Sequence, residues 1–121
     1  MVLVDTSIWV SYLREGDRNL ESLLMNAEVL CHPFIIGELA CGNLRNRKEI
    51  ISLLVSLPSV PTIGFDEFLF FVDQNRLMGK GIGFVDVHLL ASACLSGVSL
   101  WTFDKKLKAA ADMLELTFSK R

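Results

Sequence analysis

The chain begins Met1-Val2-Leu3-Val4-Asp5-Thr6-Ser7-Ile8-Trp9-Val10, and this stretch indicates the class of fold. Its apolar run, residues 2–4, is short and continuous rather than alternating, which is typical of a strand buried on both faces. Asp5 ends the run, and the pattern that follows predicts a helix from Thr6. A carboxylate at this junction either caps the helix or belongs to a site at the end of the strand.

The rest of the chain repeats this alternation of short strands and helices. We predict further strands at 29–32, 61–63, 100–103 and 114–118, and helices at 6–14, 20–27, 33–41, 46–57, 66–78, 85–95 and 105–111. Asp66 is the expected cap of the helix that it begins. The pattern predicts an α/β fold with a central parallel sheet of four to five short strands and helices on both faces. With 121 residues and no linker or repeat, we expect a single domain spanning residues 1–121.

The composition indicates whether the protein associates with partners, enters a membrane or forms disulfides. Apolar residues make up 51% of the chain and the mean hydropathy is +0.42, a surplus that suggests an oligomer or partner interface. The most apolar stretch, 84–101, contains Asp86 and His88 and would make a poor bilayer helix. We see no signal peptide and expect a cytoplasmic protein. Three widely spaced cysteines without a CxxC pair predict reduced, mostly buried thiols.

Four acidic residues require an explanation. Asp5 and Asp104 each follow a predicted strand, and ligand sites of parallel sheets form beyond such carboxyl ends. Asp86 and Glu38 share helix faces with apolar residues, and burial of an unpaired carboxylate is costly. Capping remains an alternative for the three aspartates, but Glu38 lies inside a helix. Neither 36–41 nor 84–97 contains Lys or Arg, so we favour a shared divalent cation over separate ion pairs.

The ligand chemistry indicates which ion to expect. Carboxylate oxygens favour Mg²⁺ or Mn²⁺ over zinc. We expect Thr6, Ser7 and Thr102 to donate hydrogen bonds to the carboxylates or to metal-bound water. The two histidines, His32 and His88, are expected to serve the structure.

The acidic residues, in their order, resemble the motifs of a known family. Asp5-Thr6-Ser7, Glu38 on a mid-chain helix, Asp86 in GIGFVDVHLLASA and Asp104 in WTFDKKL resemble the four motifs of PIN-domain ribonucleases. A chain of this length is most similar to the VapC toxins of toxin–antitoxin pairs. The resemblance implies a metal-dependent endoribonuclease that usually forms a homodimer and is inhibited by a VapB antitoxin. It also implies that Asp5, Glu38, Asp86 and Asp104 hold the metal and support hydrolysis by an activated water.

Contacts with RNA and with a partner are expected on two further sets of residues. The net charge of −2 does not exclude RNA, because setting aside four acids leaves ten of the 14 acidic side chains against 12 basic ones. Lys80, Lys105 and Lys106 lie beside the acidic motifs and are our candidates for RNA contacts. Trp9, Tyr12 and Leu13 are candidates for an antitoxin groove or a dimer contact, with core packing as the alternative for at least two bulky residues of that helix.

Other functions stay open on the sequence alone. The chain could be a PIN nuclease of RNA processing, or a non-enzymatic metal-binding domain that interacts with a partner. A receiver-type signalling domain is disfavoured because 50–64 contains no acid for phosphorylation. An aspartyl phosphatase is disfavoured because Ser7 stands where a second aspartate is usual.

Overall fold

The computed structural model describes residues 1–119, which form seven helices and three strands. The strands are β1 (Val2–Val4), β2 (Val29–Leu30) and β3 (Ser99–Trp101). The helices are α1 (Thr6–Glu15), α2 (Arg18–Met25), α3 (Pro33–Ala40), α4 (Arg47–Ser56), α5 (Phe65–Asn75), α6 (Phe84–Ser96) and α7 (Lys105–Met113). The expected α/β class is confirmed.

The sheet is parallel, with β1 between β2 and β3. Val2 lies opposite Val29 on one side and Ser99 on the other. Because the strands are parallel, their carboxyl ends meet at one edge, where α1 and α7 begin close by. The core lies around β1, and its largest fully buried side chains include those of Trp9, Leu3, Leu89 and Leu90.

The sheet is smaller than the four to five strands expected. Within residues 1–119, two further segments reach its edges only through single bridges, from Ser59 to Cys31 and from Thr117 to Leu100. Pro58 and Pro61 flank the first bridge and lack the N–H groups that a longer ladder would need. The predicted strands at 61–63 and 114–118 are therefore wrong as full strands, although the second keeps a pair of backbone bonds to Leu100.

The start of α5 also differs from the prediction. The helix begins at Phe65 after the N-cap Gly64, whose backbone N–H donates to Glu67 Oε1 at 3.0 Å. Asp66 therefore lies inside the first turn and is not the cap, because a carboxylate one residue further along makes the reciprocal bond.

The cysteines and the apolar stretches complete the picture. All three thiols are free, but only Cys31 is buried, so the expectation of mostly buried thiols is wrong for Cys41 and Cys94. Within residues 1–119, no helix is both long and apolar enough to cross a membrane.

Candidate active site

The four predicted acids are held by different elements that meet at the carboxyl edge of the sheet. Asp5 directly follows β1, and its backbone N–H donates to the carbonyl of Trp101 in β3 at 2.9 Å. Glu38 lies in α3, Asp86 in the first turn of α6, and Asp104 immediately before α7. The charges of Asp5, Asp104 and Glu38 all act on Asp86, so the fold brings these three carboxylates into electrostatic range of Asp86.

Asp5 does not serve as a helix cap. It occupies the N-cap position of α1, yet its side chain makes no capping hydrogen bond. Its Oδ2 instead accepts hydrogen bonds from Thr102 Oγ1 at 2.7 Å and from Ser7 Oγ at 2.9 Å. The residue is buried, with 6% of its surface exposed. The capping alternative therefore fails at this position, and two hydroxyl groups hold the carboxylate in place.

The same two hydroxyls tie the end of β1 to the start of α7. Ser7 Oγ accepts from the backbone N–H of Phe103 at 3.0 Å, and Thr102 Oγ1 accepts from that of Asp104 at 3.0 Å. Each hydroxyl thus donates to Asp5 while it accepts from the segment that carries Asp104. Residues 102–104 are thereby held at a set position relative to Asp5.

Glu38 differs from the sequence expectation. Its side chain is exposed rather than buried, so no desolvation penalty demands a cation there. Oε1 accepts a hydrogen bond of 2.7 Å from Thr6 Oγ1, across 32 positions of sequence. A hydroxyl donor thus orients this carboxylate at the rim of the site.

Asp86 and Asp104 both stabilise helix starts. Asp104 Oδ1 accepts from the backbone N–H of Leu107 at 2.9 Å, and Asp86 Oδ2 accepts from that of Gly83 at 3.4 Å. The capping alternative thus holds for Asp104. Asp86 is the third residue of α6, and its carboxylate bonds back to the N-cap residue Gly83 instead of occupying the cap position itself. Burial raises the pKa of Asp86, and the charges of Asp5, Asp104 and Glu38 raise it further, against the lowering effect of the Gly83 bond.

The carboxylates share one feature that bears on a metal. In each, one oxygen is engaged by the protein, and within residues 1–119 the other oxygen accepts no hydrogen bond. Oxygen donors of this kind fit Mg²⁺ or Mn²⁺. Among the described residues, no three His, Cys, Asp or Glu side chains are grouped closely enough to hold an ion as they stand. The donor chemistry of the four carboxylates fits such an ion, but they do not form a closed coordination shell.

An aromatic cluster supports the helices that carry Glu38 and Asp86. The ring of His88 lies 4.8 Å from Phe34, 4.8 Å from Phe68 and 4.6 Å from Phe84, measured between ring centroids. His32 caps α3 through Nδ1, which accepts from the backbone N–H of Phe34 at 2.9 Å. The structural role expected of both histidines is confirmed. The sequence analysis missed the cluster, although Phe34 and Phe84 stand four residues before Glu38 and His88, one helical turn apart.

The remaining candidate residues fall into two groups. Lys80, Lys105 and Lys106 are all exposed, as RNA contacts would need. Trp9 is completely buried, so the expectation that it lines an open groove is wrong, because α1 turns this ring into the core. Tyr12 is half-buried against the edge of Trp9, and Leu13 lines a cleft of about 620 Å³ at the end of α1.

Comparison with known proteins places this geometry in a family. The sequence profile of the PIN domain matches residues 2–113. Ribonuclease VapC32 of Mycobacterium tuberculosis, in the strains CDC 1551 and H37Rv, is 47% identical over 111 residues, which cover 91% of this chain and 90% of the relative.

Two solved structures share the fold. PAE2754 from Pyrobaculum aerophilum has a TM-score of 0.61 at 18% identity, over 95% of this chain and 88% of that one. FitAB bound to an IR36 DNA fragment has a TM-score of 0.60 at 17% identity, over 93% and 91% of the two chains. At such low identities these two structures show only that the fold is shared. The sequence profile and the mycobacterial relatives show the family. The chain belongs to the PIN-domain proteins, and among them to the VapC ribonuclease family.

Proposed function

We propose that the protein is a metal-dependent endoribonuclease and the toxin of a type II toxin–antitoxin pair. The observation that carries the proposal is the anchoring of Asp5, whose Oδ2 accepts from Thr102 and Ser7 beyond the end of β1. A buried carboxylate held by two hydroxyls, with one oxygen left over and three acids in electrostatic range, is a preorganised cation-binding arrangement. The ribonuclease relatives support the direction of the proposal.

In the proposed reaction the chain's carboxylates bind and orient, and Mg²⁺ or Mn²⁺ would supply an activated water and charge stabilisation on the phosphate. Asp5, Asp86, Asp104 and Glu38 would hold the ion through the oxygens that the protein leaves unengaged. Thr102 and Ser7 keep Asp5 oriented, and Thr6 keeps Glu38 oriented. No enzyme nucleophile is required for this hydrolysis.

The proposed substrate is structured RNA of the tRNA or rRNA class, in the cytoplasm. Lys80, Lys105 and Lys106 would contact its phosphates. The proposed partner is a VapB-like antitoxin, and the proposed assembly is a homodimer. The exposed apolar surface, which includes Phe65 and Phe70 with exposures of 63% and 68%, offers area for such contacts.

Incubation with a panel of tRNAs and rRNA fragments tests the activity. Cleavage is expected with Mg²⁺ or Mn²⁺ and is expected to stop with EDTA or with Asp5→Asn. Asp73→Asn is the matched control, because Asp73 is an exposed carboxylate of α5 outside the acidic set. Cleavage that survives both EDTA and Asp5→Asn would contradict the proposal.

Expression in a growing bacterium tests the toxin role. Growth arrest that disappears with Asp5→Asn is expected for a toxin, and co-expression of a cognate VapB-like antitoxin is expected to relieve it. An active nuclease that leaves growth unaffected would instead point to RNA processing.

A further inference from the structure

The side chain of Lys106 lies across the backbone of Gly81. A methyl group added at Gly81 would come within 2.8 Å of Lys106 Nζ and 2.9 Å of its Cδ. Such distances are inside van der Waals contact, so an alanine at Gly81 would displace the flexible end of the Lys106 side chain from this position. Gly81 also has a positive φ of 75°, which favours glycine independently.

The contact joins the two elements that bring Asp86 and Asp104 to the site. Gly81 belongs to the loop 79–83, which leads into α6 and ends at Gly83, the N–H partner of Asp86. Lys106 lies in the first turn of α7, two residues after Asp104. The exposed ammonium group therefore lies at the rim between the two helix starts.

We propose that Gly81 seats Lys106, and that Lys106, rather than Lys80 or Lys105, is the cation that contacts the RNA phosphate next to the cleavage site. Gly81 acts as a positioning residue in this scheme. The inference rests on the proposed function and names the substrate contact at that same site.

The electrostatics of the site explain why a seated cation is needed there. The charges of Asp5, Asp104 and Glu38 act on Asp86, and this concentration of carboxylates repels a phosphodiester, so an ammonium group on the rim offsets part of the repulsion. Lysine side chains ordinarily lose rotamer freedom when they bind, and contact with the Gly81 backbone restricts that freedom in advance. Within residues 1–119 no such close approach to a glycine is found for Lys105.

The salt dependence of RNA binding tests the proposal. The cleavage-deficient Asp5→Asn protein would be titrated into a fluorescein-labelled RNA hairpin in the presence of Mg²⁺. The binding constant K would be measured at several salt concentrations between about 50 and 200 mM. Lys106→Ala is expected to weaken binding and to flatten the plot of log K against log salt by about 0.7–0.9, the loss of one phosphate contact. Lys106→Arg is expected to keep the slope, and Lys108→Ala, at an exposed lysine of α7 outside the candidate set, is expected to leave it near the parent value.

Two glycines provide a matched pair for the seat itself. Gly79 has a φ of 72° and no atom within 4 Å of an added methyl group, so Gly79→Ala introduces the same backbone strain without touching Lys106. Gly81→Ala is expected to flatten the slope and Gly79→Ala to preserve it, at comparable melting temperatures. Adding Gly81→Ala to Lys106→Ala is expected to change the slope no further.

Three outcomes overturn the inference. They are a salt slope for Lys106→Ala equal to that of the parent protein, equal salt slopes for Gly81→Ala and Gly79→Ala, or no RNA binding by the Asp5→Asn protein. A wild-type protein that binds the hairpin with this lysine dependence but cleaves no RNA would overturn the proposed activity and leave the phosphate contact standing.

Discussion

Thr102, which follows β3, donates a 2.7 Å hydrogen bond to Oδ2 of Asp5, which follows β1, across 97 positions of sequence. The bond joins two neighbouring strand ends at the edge where the carboxylates gather. Thr102 also accepts from the backbone N–H of Asp104 at 3.0 Å. The buried hydroxyl of Thr102 thus orients the carboxylate of Asp5 and also holds the backbone that carries Asp104.

Thr102→Val is expected to lower RNA cleavage by more than its loss of folding stability would explain. Valine keeps the volume but leaves Asp5 with one fewer donor and the Asp104 N–H without its acceptor. The free energy of unfolding is expected to fall by about 1–3 kcal/mol. Chemical denaturation and RNA cleavage below the unfolding transition measure the two effects, with the exposed Thr62→Val as control. Equal cleavage by both variants would contradict the role given to Thr102.

Thr6→Val separates orientation of Glu38 from folding. Thr6 is half-buried and Glu38 exposed, so the loss of their 2.7 Å hydrogen bond is expected to change stability by no more than about 0.5 kcal/mol. Cleavage is expected to fall, though less than with Glu38→Gln. Steady-state kinetics on one RNA measures this, and Thr6→Ser, which keeps the hydroxyl, is expected to restore activity. A Thr6→Val protein as active as wild type would remove the contact from the site.

Asp86→Asn is expected to raise the melting temperature in EDTA by a few degrees while cleavage is lost. The pKa of Asp86 is raised by burial and by Asp5, Asp104 and Glu38, so its ionised form costs free energy in the metal-free fold. The asparagine Oδ1 can still accept from Gly83, so the start of α6 is kept. Differential scanning calorimetry with EDTA makes the measurement, and a lower melting temperature would contradict it.

Acidification is expected to destabilise the fold through His32. Burial and, to a smaller extent, the charge of His88 together lower its pKa from the ordinary 6.5 to about 4. As the pH falls, His32 is protonated in the unfolded chain before it is protonated in the folded protein. The contribution of His32 to the free energy of unfolding is therefore fully present above pH 6.5 and is lost as the pH falls towards 4. Protonation of Asp86 acts in the opposite direction, since its pKa is raised.

His32→Asn tests this assignment. Asparagine keeps a cap for α3 but does not titrate, so the variant is expected to be less stable overall and to lose less stability between pH 6.5 and 4. Part of the pH dependence is expected to remain, because burial also lowers the pKa of His88. Urea unfolding across this range measures both, and an unchanged pH dependence would contradict the role of His32.

The thiols are expected to react in two classes. Cys41 and Cys94 are exposed, whereas burial raises the pKa of Cys31 to about 11. Only the thiolate reacts, so a disulfide reagent at pH 8 is expected to label two thiols of the native protein and all three after denaturation. Fast labelling of Cys31 in the native protein would contradict its burial; Cys31→Ala identifies the slow thiol.

The seven helices and the three strands of residues 1–119, in their order, were predictable from the sequence. Apolar runs such as Val2–Val4 and helical spacing such as that of α6 are local patterns, and local patterns survive without knowledge of the fold. Asp5 and Asp104 could be placed at one edge because parallel strands bring their carboxyl ends together.

The tertiary structure alone decided what each acid contacts. Asp5 lies at a cap position yet bonds Thr102, Glu38 is exposed against Thr6, and Trp9 turns into the core rather than into a groove. The seat of Lys106 on Gly81 belongs to the same class. These contacts join residues far apart in sequence, and their distances follow from how helices pack on the sheet, which no local pattern of residues encodes.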